Sequence, residues 1–199
     1  MRSHLPAFVA VFVVVLGLSV PVQADYGAGR TAFNHGDYAA ALREWRPLAE
    51  QGHATAQFWL GYMYNFGRGV AKDDAEAVKW YRKAAEQGEA QAQFNLSVMY
   101  EYGRGVAKDD AEAVRWYRKV AAQEQYQYQQ AHAQFELGRM YHEGRGVAQD
   151  DAQAVRWYRK AAEQGGEVGK RADQHLAKLN VSIAEEADAG HGADRPGRA

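Results

Sequence analysis

A block of nineteen residues, GRGVAKDDAEAVKWYRKAA at 67–85, constrains this chain more than anything else in it. It returns as GRGVAKDDAEAVRWYRKVA at 103–121 and as GRGVAQDDAQAVRWYRKAA at 144–162. The first two copies differ only at Lys79 against Arg115 and at Ala84 against Val120. A short unit stamped out several times cannot bury its apolar side alone, so neighbouring units must stack into an elongated array. The 199-residue chain is therefore read as one solenoid rather than one closed core.

Within the first full unit, Ala56, Leu60, Met63 and Tyr64 recur at helical spacing, with Phe58 widening the apolar side. This is helix A. Gly67 and Gly69 end it, since glycine takes the left-handed conformation past a helix terminus at little cost. Asp73 then caps helix B, and Glu76 three residues on fits a capping box, repeated as Asp109 with Glu112 and Asp150 with Gln153. The inward face of helix B is Ala77, Tyr81, Ala84 and Ala85, and Gly88 stops it.

The units run 54–89, 90–130 and 131–166. Before them, 25–53 is a divergent helix pair, in register at Ala41, Ala49, Gln51 and Gly52 but lacking the GRGV loop, with Pro47 predicting a kink. Trp80 to Trp116 is 36 residues and Trp116 to Trp157 is 41, so the second unit carries five extra residues within QEQYQYQQ. Glu124 stands where Gly88 stood, which predicts that helix B of the second unit runs on by more than a turn. Residues 167–186, with the stripe Val168, Ala172, Leu176, Leu179 and Ile183, read as a capping helix. The aperiodic 187–199 reads as a disordered tail.

Residues 1–24 have the three parts of a secretory signal: Arg2 and His4, an apolar run over 7–20, then a Val-Gln-Ala site ending at Ala24. The run is shorter than the roughly 20 residues that a membrane-spanning helix needs. The expectation is export to the periplasm or beyond, cleavage after Ala24, and no membrane insertion once the signal is gone. The net charge of −1, with no basic stripe, argues against a nucleic-acid partner. There is no cysteine, hence no disulfide or thiolate chemistry.

The pattern AxAQFxLGxMYxxGxGVxxDxxxAxxWYxxAAxQG over 54–88, repeated twice more, resembles the Sel-one-like repeat, a relative of the tetratricopeptide repeat. The resemblance implies an all-α fold, a right-handed α-solenoid of antiparallel helix pairs closed by the C-terminal capping helix. It also implies an adaptor or scaffold that binds proteins or peptides. One branch of that family holds a disulfide in each repeat, and this chain departs from it.

Positions constant among the copies serve the fold, so recognition falls to those that vary. On helix A these are Trp59, Tyr62, Asn65 and Phe66, then Asn95, Val98, Glu101 and Tyr102, then Glu136, Arg139, His142 and Glu143, with Thr55, Gln91 and His132 one turn earlier. The resemblance places that face on the concave side, aromatic at its N-terminal end and charged at its C-terminal end. It would suit an extended peptide or a partner helix. The partner is an unknown protein or peptide.

His132, Glu136 and His142 also invite a metal-site reading, but no second paired motif flanks them, and no metal or cofactor is expected. Arg68, Arg104 and Arg145 recur with the loop, which points to a structural role, and the paired aspartates at helix starts are accounted for as caps. The mature chain has only Thr31, Thr55, Ser97 and Ser182 as aliphatic hydroxyls and no enzyme motif. The reading is non-enzymatic. Its alternative is a periplasmic hydrolase or cell-wall-binding factor using the His132, Glu136 and His142 end.

Overall fold

The computed structural model describes residues 24–192. The expected leader, except Ala24, and residues 193–199 of the expected tail lie outside the described residues. All regular structure in the described residues is helical: α1 (Tyr26–Asn34), α2 (Tyr38–Glu50), α3 (Ala54–Phe66), α4 (Asp74–Glu86), α5 (Ala90–Tyr102), α6 (Asp110–Ala121), α7 (Gln127–Glu143), α8 (Asp151–Glu163) and α9 (Gly166–Gly192). Each helix packs on the next along the chain, and α7 also touches α5 and α9 across repeats, whereas α4, α6 and α8 make no comparable contact. The row of α5, α7 and the capping helix α9 is thus the inner row of the solenoid, with α3, helix A of the first unit, in sequence register with α5 and α7.

The loop between helices A and B is built identically three times. Gly67, Gly103 and Gly144 end helix A with φ of 66°, 65° and 64°. The following arginine N–H returns to the Met63, Met99 or Met140 carbonyl at 2.9 Å. Asp73, Asp109 and Asp150 cap helix B by accepting from the N–H three residues on, at 2.9 Å each. Only half of the expected capping box forms. The N–H of each cap donates to Tyr64, Tyr100 or Tyr141 of the preceding helix, so Glu76 and Glu112 turn outward to Lys79 and Arg115.

The second glycine of the loop sets how units stack. A methyl group on Gly105 would lie 2.2 Å from the Asp74 carbonyl oxygen, and one on Gly146 2.2 Å from that of Asp110. The loop thus lies flat on the first turn of the preceding helix B. The arginine between the glycines completes the tie: Arg68 sits over the Tyr38 ring, Arg104 lies 3.8 Å from Asp74 and Arg145 lies 2.8 Å from Asp110. The recurrence of these arginines is therefore explained by repeat stacking.

Inside each unit, Tyr81 and Tyr158 lie against Gly61 and Gly138, where a Cβ would approach the ring to 2.7 Å. Ser97 replaces that glycine in the second unit and returns its hydroxyl to the Phe94 carbonyl at 2.6 Å. Arg46, Arg82 and Arg118 reach the hydroxyls of Tyr64, Tyr100 and Tyr141 in the next unit. Outward, Lys83, Lys119 and Lys160 cover the Trp80, Trp116 and Trp157 rings.

Helix α2 passes through Pro47 as a single element. Two expectations about element ends change. Helix α9 continues through Gly192, six residues past the expected end at 186. The five-residue insertion does not lengthen helix B of the second unit: α6 stops at Ala121, and the insertion adds a turn to the start of α7, making it 17 residues against 13 for α3 and α5.

Past the end of α6, where no glycine stands, the same tertiary hydrogen bond forms as past α4. Gln123 donates to Gln93 Oε1 at 2.7 Å and to the Gly88 carbonyl at 3.2 Å, as Gln87 does to Gln57 Oε1 at 2.7 Å. Of the capping stripe, Val168, Ala172 and Leu179 are buried and Leu176 is half-buried, while the Ile183 side chain lies outside the described residues.

Candidate functional site

At the N-terminal end of the inner row, α1 covers part of the expected surface. Trp59 is half-buried, its indole N–H donating to Tyr26 Oη at 3.0 Å and its ring 4.9 Å from Phe33 and 5.2 Å from Trp45. This indole is a brace between the divergent pair and the first full unit. Beyond it, Tyr62 stacks on Phe66 at 4.4 Å, and Phe66 is 53% exposed. Tyr102, the counterpart of Phe66 one repeat on, is 60% exposed. Large apolar side chains standing open at matching positions of adjacent inner helices are the kind of group that anchors a partner.

Between these helices lies a pocket of about 230 Å³, lined by Phe58 and Tyr62 of α3, Gln91, Phe94 and Asn95 of α5, and Tyr128, Gln129 and His132 of α7. Tyr128 belongs to the turn added by the insertion, is 72% exposed, and stacks on His132 at 4.5 Å. Burial pushes the His132 imidazole below its ordinary pKa, with the Arg171 charge adding to this, which favours the neutral ring. Val98 is half-buried against the central core beside this pocket.

The third position of each inner helix faces the start of its own helix B, and there the chemistry diverges. Asn65 is buried and donates to Asp74 Oδ1 at 2.8 Å, while His142 Nδ1 lies 2.7 Å from Asp151 Oδ1. An amide or imidazole can donate to that aspartate, but the carboxylate of Glu101 cannot. Glu101, 1% exposed, instead accepts from Tyr117 Oη at 2.8 Å, from Arg145 at 3.1 Å and from Arg139, while Arg145 also bonds Asp110. The two arginines come from the third unit, so this carboxylate fastens the second unit to the third.

Glu136 bonds Arg139 at 2.8 Å, and Glu143 lies 3.4 Å from both arginines. Glu136 and Tyr117 are each pushed above their ordinary pKa by burial, Tyr117 well above because Glu101 opposes a second negative charge. This cluster joins Glu101, Asp110, Glu136 and Glu143 to Arg139 and Arg145, with Lys108 also 3.4 Å from Asp110.

The residues singled out in sequence thus fall into three groups. Tyr62 and Asn95 line the pocket while Phe66 and Tyr102 stand exposed; Trp59 and Val98 are half-buried in packing; Asn65, Glu101, Glu136, Arg139 and His142 are occupied by partners within the chain. Asn65 and Glu101 lie beneath the surface rather than on it. His132, Glu136 and His142 do not converge, and among the described residues no three His, Cys, Asp or Glu side chains gather as metal ligands. Of the lining residues, Phe58 and Phe94 were not among the expected contacts. The extra residues that carry Tyr128, an aromatic among glutamines, were assigned to helix B of the second unit rather than to α7.

Two solved structures share this architecture. A Sel1 repeat protein from Oxalobacter formigenes is 39% identical over 76% of this chain and 59% of its own, with a TM-score of 0.67. A protective antigen present in uropathogenic Escherichia coli strains, displaying an SLR fold, is 42% identical over 72% of this chain and 31% of its own, with a TM-score of 0.65. The chain spans less than two thirds of the length of either. No curated protein matches it. The Sel1 repeat matches residues 54–89, 90–124 and 131–166, and with more than half of its length accounted for in this way, the chain belongs to the Sel1-repeat family.

Proposed function

We propose that this protein is a non-enzymatic scaffold, exported through its N-terminal leader, that holds an extended peptide segment of a partner along its inner surface. Sel1 repeats are protein-interaction scaffold modules. The observation that carries the finer reading is the pair of open aromatics Phe66 and Tyr102 at matching positions of α3 and α5, together with the pocket between α3, α5 and α7 that Tyr62 and the exposed Tyr128 line. A bulky apolar side chain of the partner fills that pocket. A basic residue further along pairs with Glu143, the most exposed carboxylate of the cluster. The hydrolase alternative gains no support, since His132 stacks on Tyr128, Glu136 pairs with Arg139 and His142 pairs with Asp151.

The test is selection of binding peptides from a random displayed library, followed by affinity measurement. Peptides enriched in large apolar and basic residues are expected, with binding weakened about thirtyfold by each of Phe66→Ala, Tyr102→Ala and Tyr128→Ala, as for a hot-spot aromatic contributing about 2 kcal/mol, and further when the three are combined. Peptides that bind the triple variant equally well would overturn the reading.

A further inference from the structure

We propose that Glu44 is the receptor for the α-ammonium group created when the leader is removed, so that maturation itself fastens the N-terminal end of the solenoid. The inference rests on the export reading in one respect, cleavage between Ala24 and Asp25. In that step water adds across the Ala24–Asp25 amide: Ala24 leaves with the leader as a carboxylate, and Asp25 keeps the nitrogen as an ammonium. The hydrolysis is that of a signal peptidase.

The geometry at Asp25 is already arranged for such a group. Its backbone nitrogen lies 2.8 Å from Glu44 Oε2. Its side chain is turned the other way, Oδ1 capping α1 by accepting from the Gly27 N–H at 2.8 Å. Residue 26 is fixed by three elements: the Tyr26 carbonyl accepts from the Trp45 indole at 3.2 Å, its hydroxyl accepts from the Trp59 indole at 3.0 Å, and its ring stacks on His53 at 5.4 Å. The nitrogen beside it therefore has little freedom to leave Glu44.

The sequence of α2 points the same way. Position 44 corresponds to Trp80, Trp116 and Trp157 in the later copies, and a lysine three residues on covers each of those rings. In the first copy both members of that pair are gone, replaced by Glu44 and Pro47. The copy whose helix B borders the cleavage point is the one that carries a carboxylate there. A carboxylate also answers an electrostatic need, because an ammonium at the N-cap of α1 sits at the positive end of the helix dipole and is disfavoured unless an anion opposes it. Before cleavage Glu44 accepts from a neutral amide; afterwards it holds a charge-assisted bond, which is about twice as strong.

Two measurements test this separately from the export reading. N-terminal sequencing of the protein recovered from the periplasm should read Asp-Tyr-Gly; another start, or a retained leader, overturns the proposal because the ammonium does not form beside Glu44. Hydrogen exchange of the α1 amides is then compared between mature protein with a free α-amine and the same protein acetylated at that amine alone, which keeps the N–H donor and removes the charge. Acetylation is expected to speed exchange in α1 about five- to tenfold, Glu44→Gln to do the same in the free-amine protein, and the two together to do no more than either alone. Unchanged exchange on acetylation, or effects that multiply, would overturn it while leaving export untouched.

Discussion

The junction between α4 and α5 and the junction between α6 and α7 begin from nearly the same sequence and end in different contacts. At the first, the loop between helices B and A is short, Gln93 of α5 donates to the Ala85 carbonyl at 2.9 Å, and Gln87 donates to Gln57. At the second, the insertion has added a turn to α7, and Gln130, one turn before the expected Gln134, takes the bond to the Ala121 carbonyl at 3.2 Å. Gln134 is buried, and its Oε1 is left without a hydrogen-bond partner. The same turn lifts Tyr128 to the rim of the groove. A regular junction is all fold, whereas the irregular one re-forms its structural bond with a substitute residue and gains an exposed aromatic.

The largest effect is expected where the two junctions agree. Gly105→Ala and Gly146→Ala put a side chain at a φ near +66° and into a backbone carbonyl, with no flexible group to give way. Each should cost about 3 kcal/mol or more in urea unfolding, with similar values at both sites. A loss below about 1 kcal/mol at either would mean that the loop does not stack there as described.

Next come the buried polar groups at which the same two units part. Glu101→Ala leaves the buried Tyr117 hydroxyl without a partner and takes one acceptor each from Arg139 and Arg145, and is expected to cost about 3 kcal/mol, while Asn65→Ala, at the matching position, removes one bond to a half-buried aspartate and should cost about 1 kcal/mol. Equal losses would mean that the Glu101 cluster ties the units no better than the single amide does.

Much of this was legible beforehand. The period, the helix pairs, the aspartate caps and the glycine stops are local signals, each written within four or five residues, and they place nearly every element from α2 to α8. The end of α6 was misjudged because no glycine marks it; just past it Gln123 meets Gln93 thirty residues away, a contact that no local signal announces. The burial of Asn65 and Glu101 was hidden for a similar reason. Helical spacing put them on the face of Phe66 and Tyr102, but their turn abuts the start of helix B, a fact of packing rather than of period. Trp59 looked like a free anchor until α1 was laid across it.

The smallest effects separate the glutamines. Gln93→Leu and Gln130→Leu each remove a donor from a carbonyl at a repeat junction and should cost about 1 to 2 kcal/mol, whereas Gln134→Leu should fall within about 0.5 kcal/mol of wild type by thermal unfolding. A cost at Gln134 equal to that at Gln130 would show that the added turn had not taken over the bond.

The most direct test of the scaffold reading is site-specific photo-crosslinking in cells, with the reactive residue placed in turn at Phe66, Tyr102 and Tyr128 on the inner surface and at Lys83 and Lys160 on the outer one. The account predicts that the same partner is captured from all three inner positions and from neither outer one. Capture of that partner from the outer positions alone would contradict it.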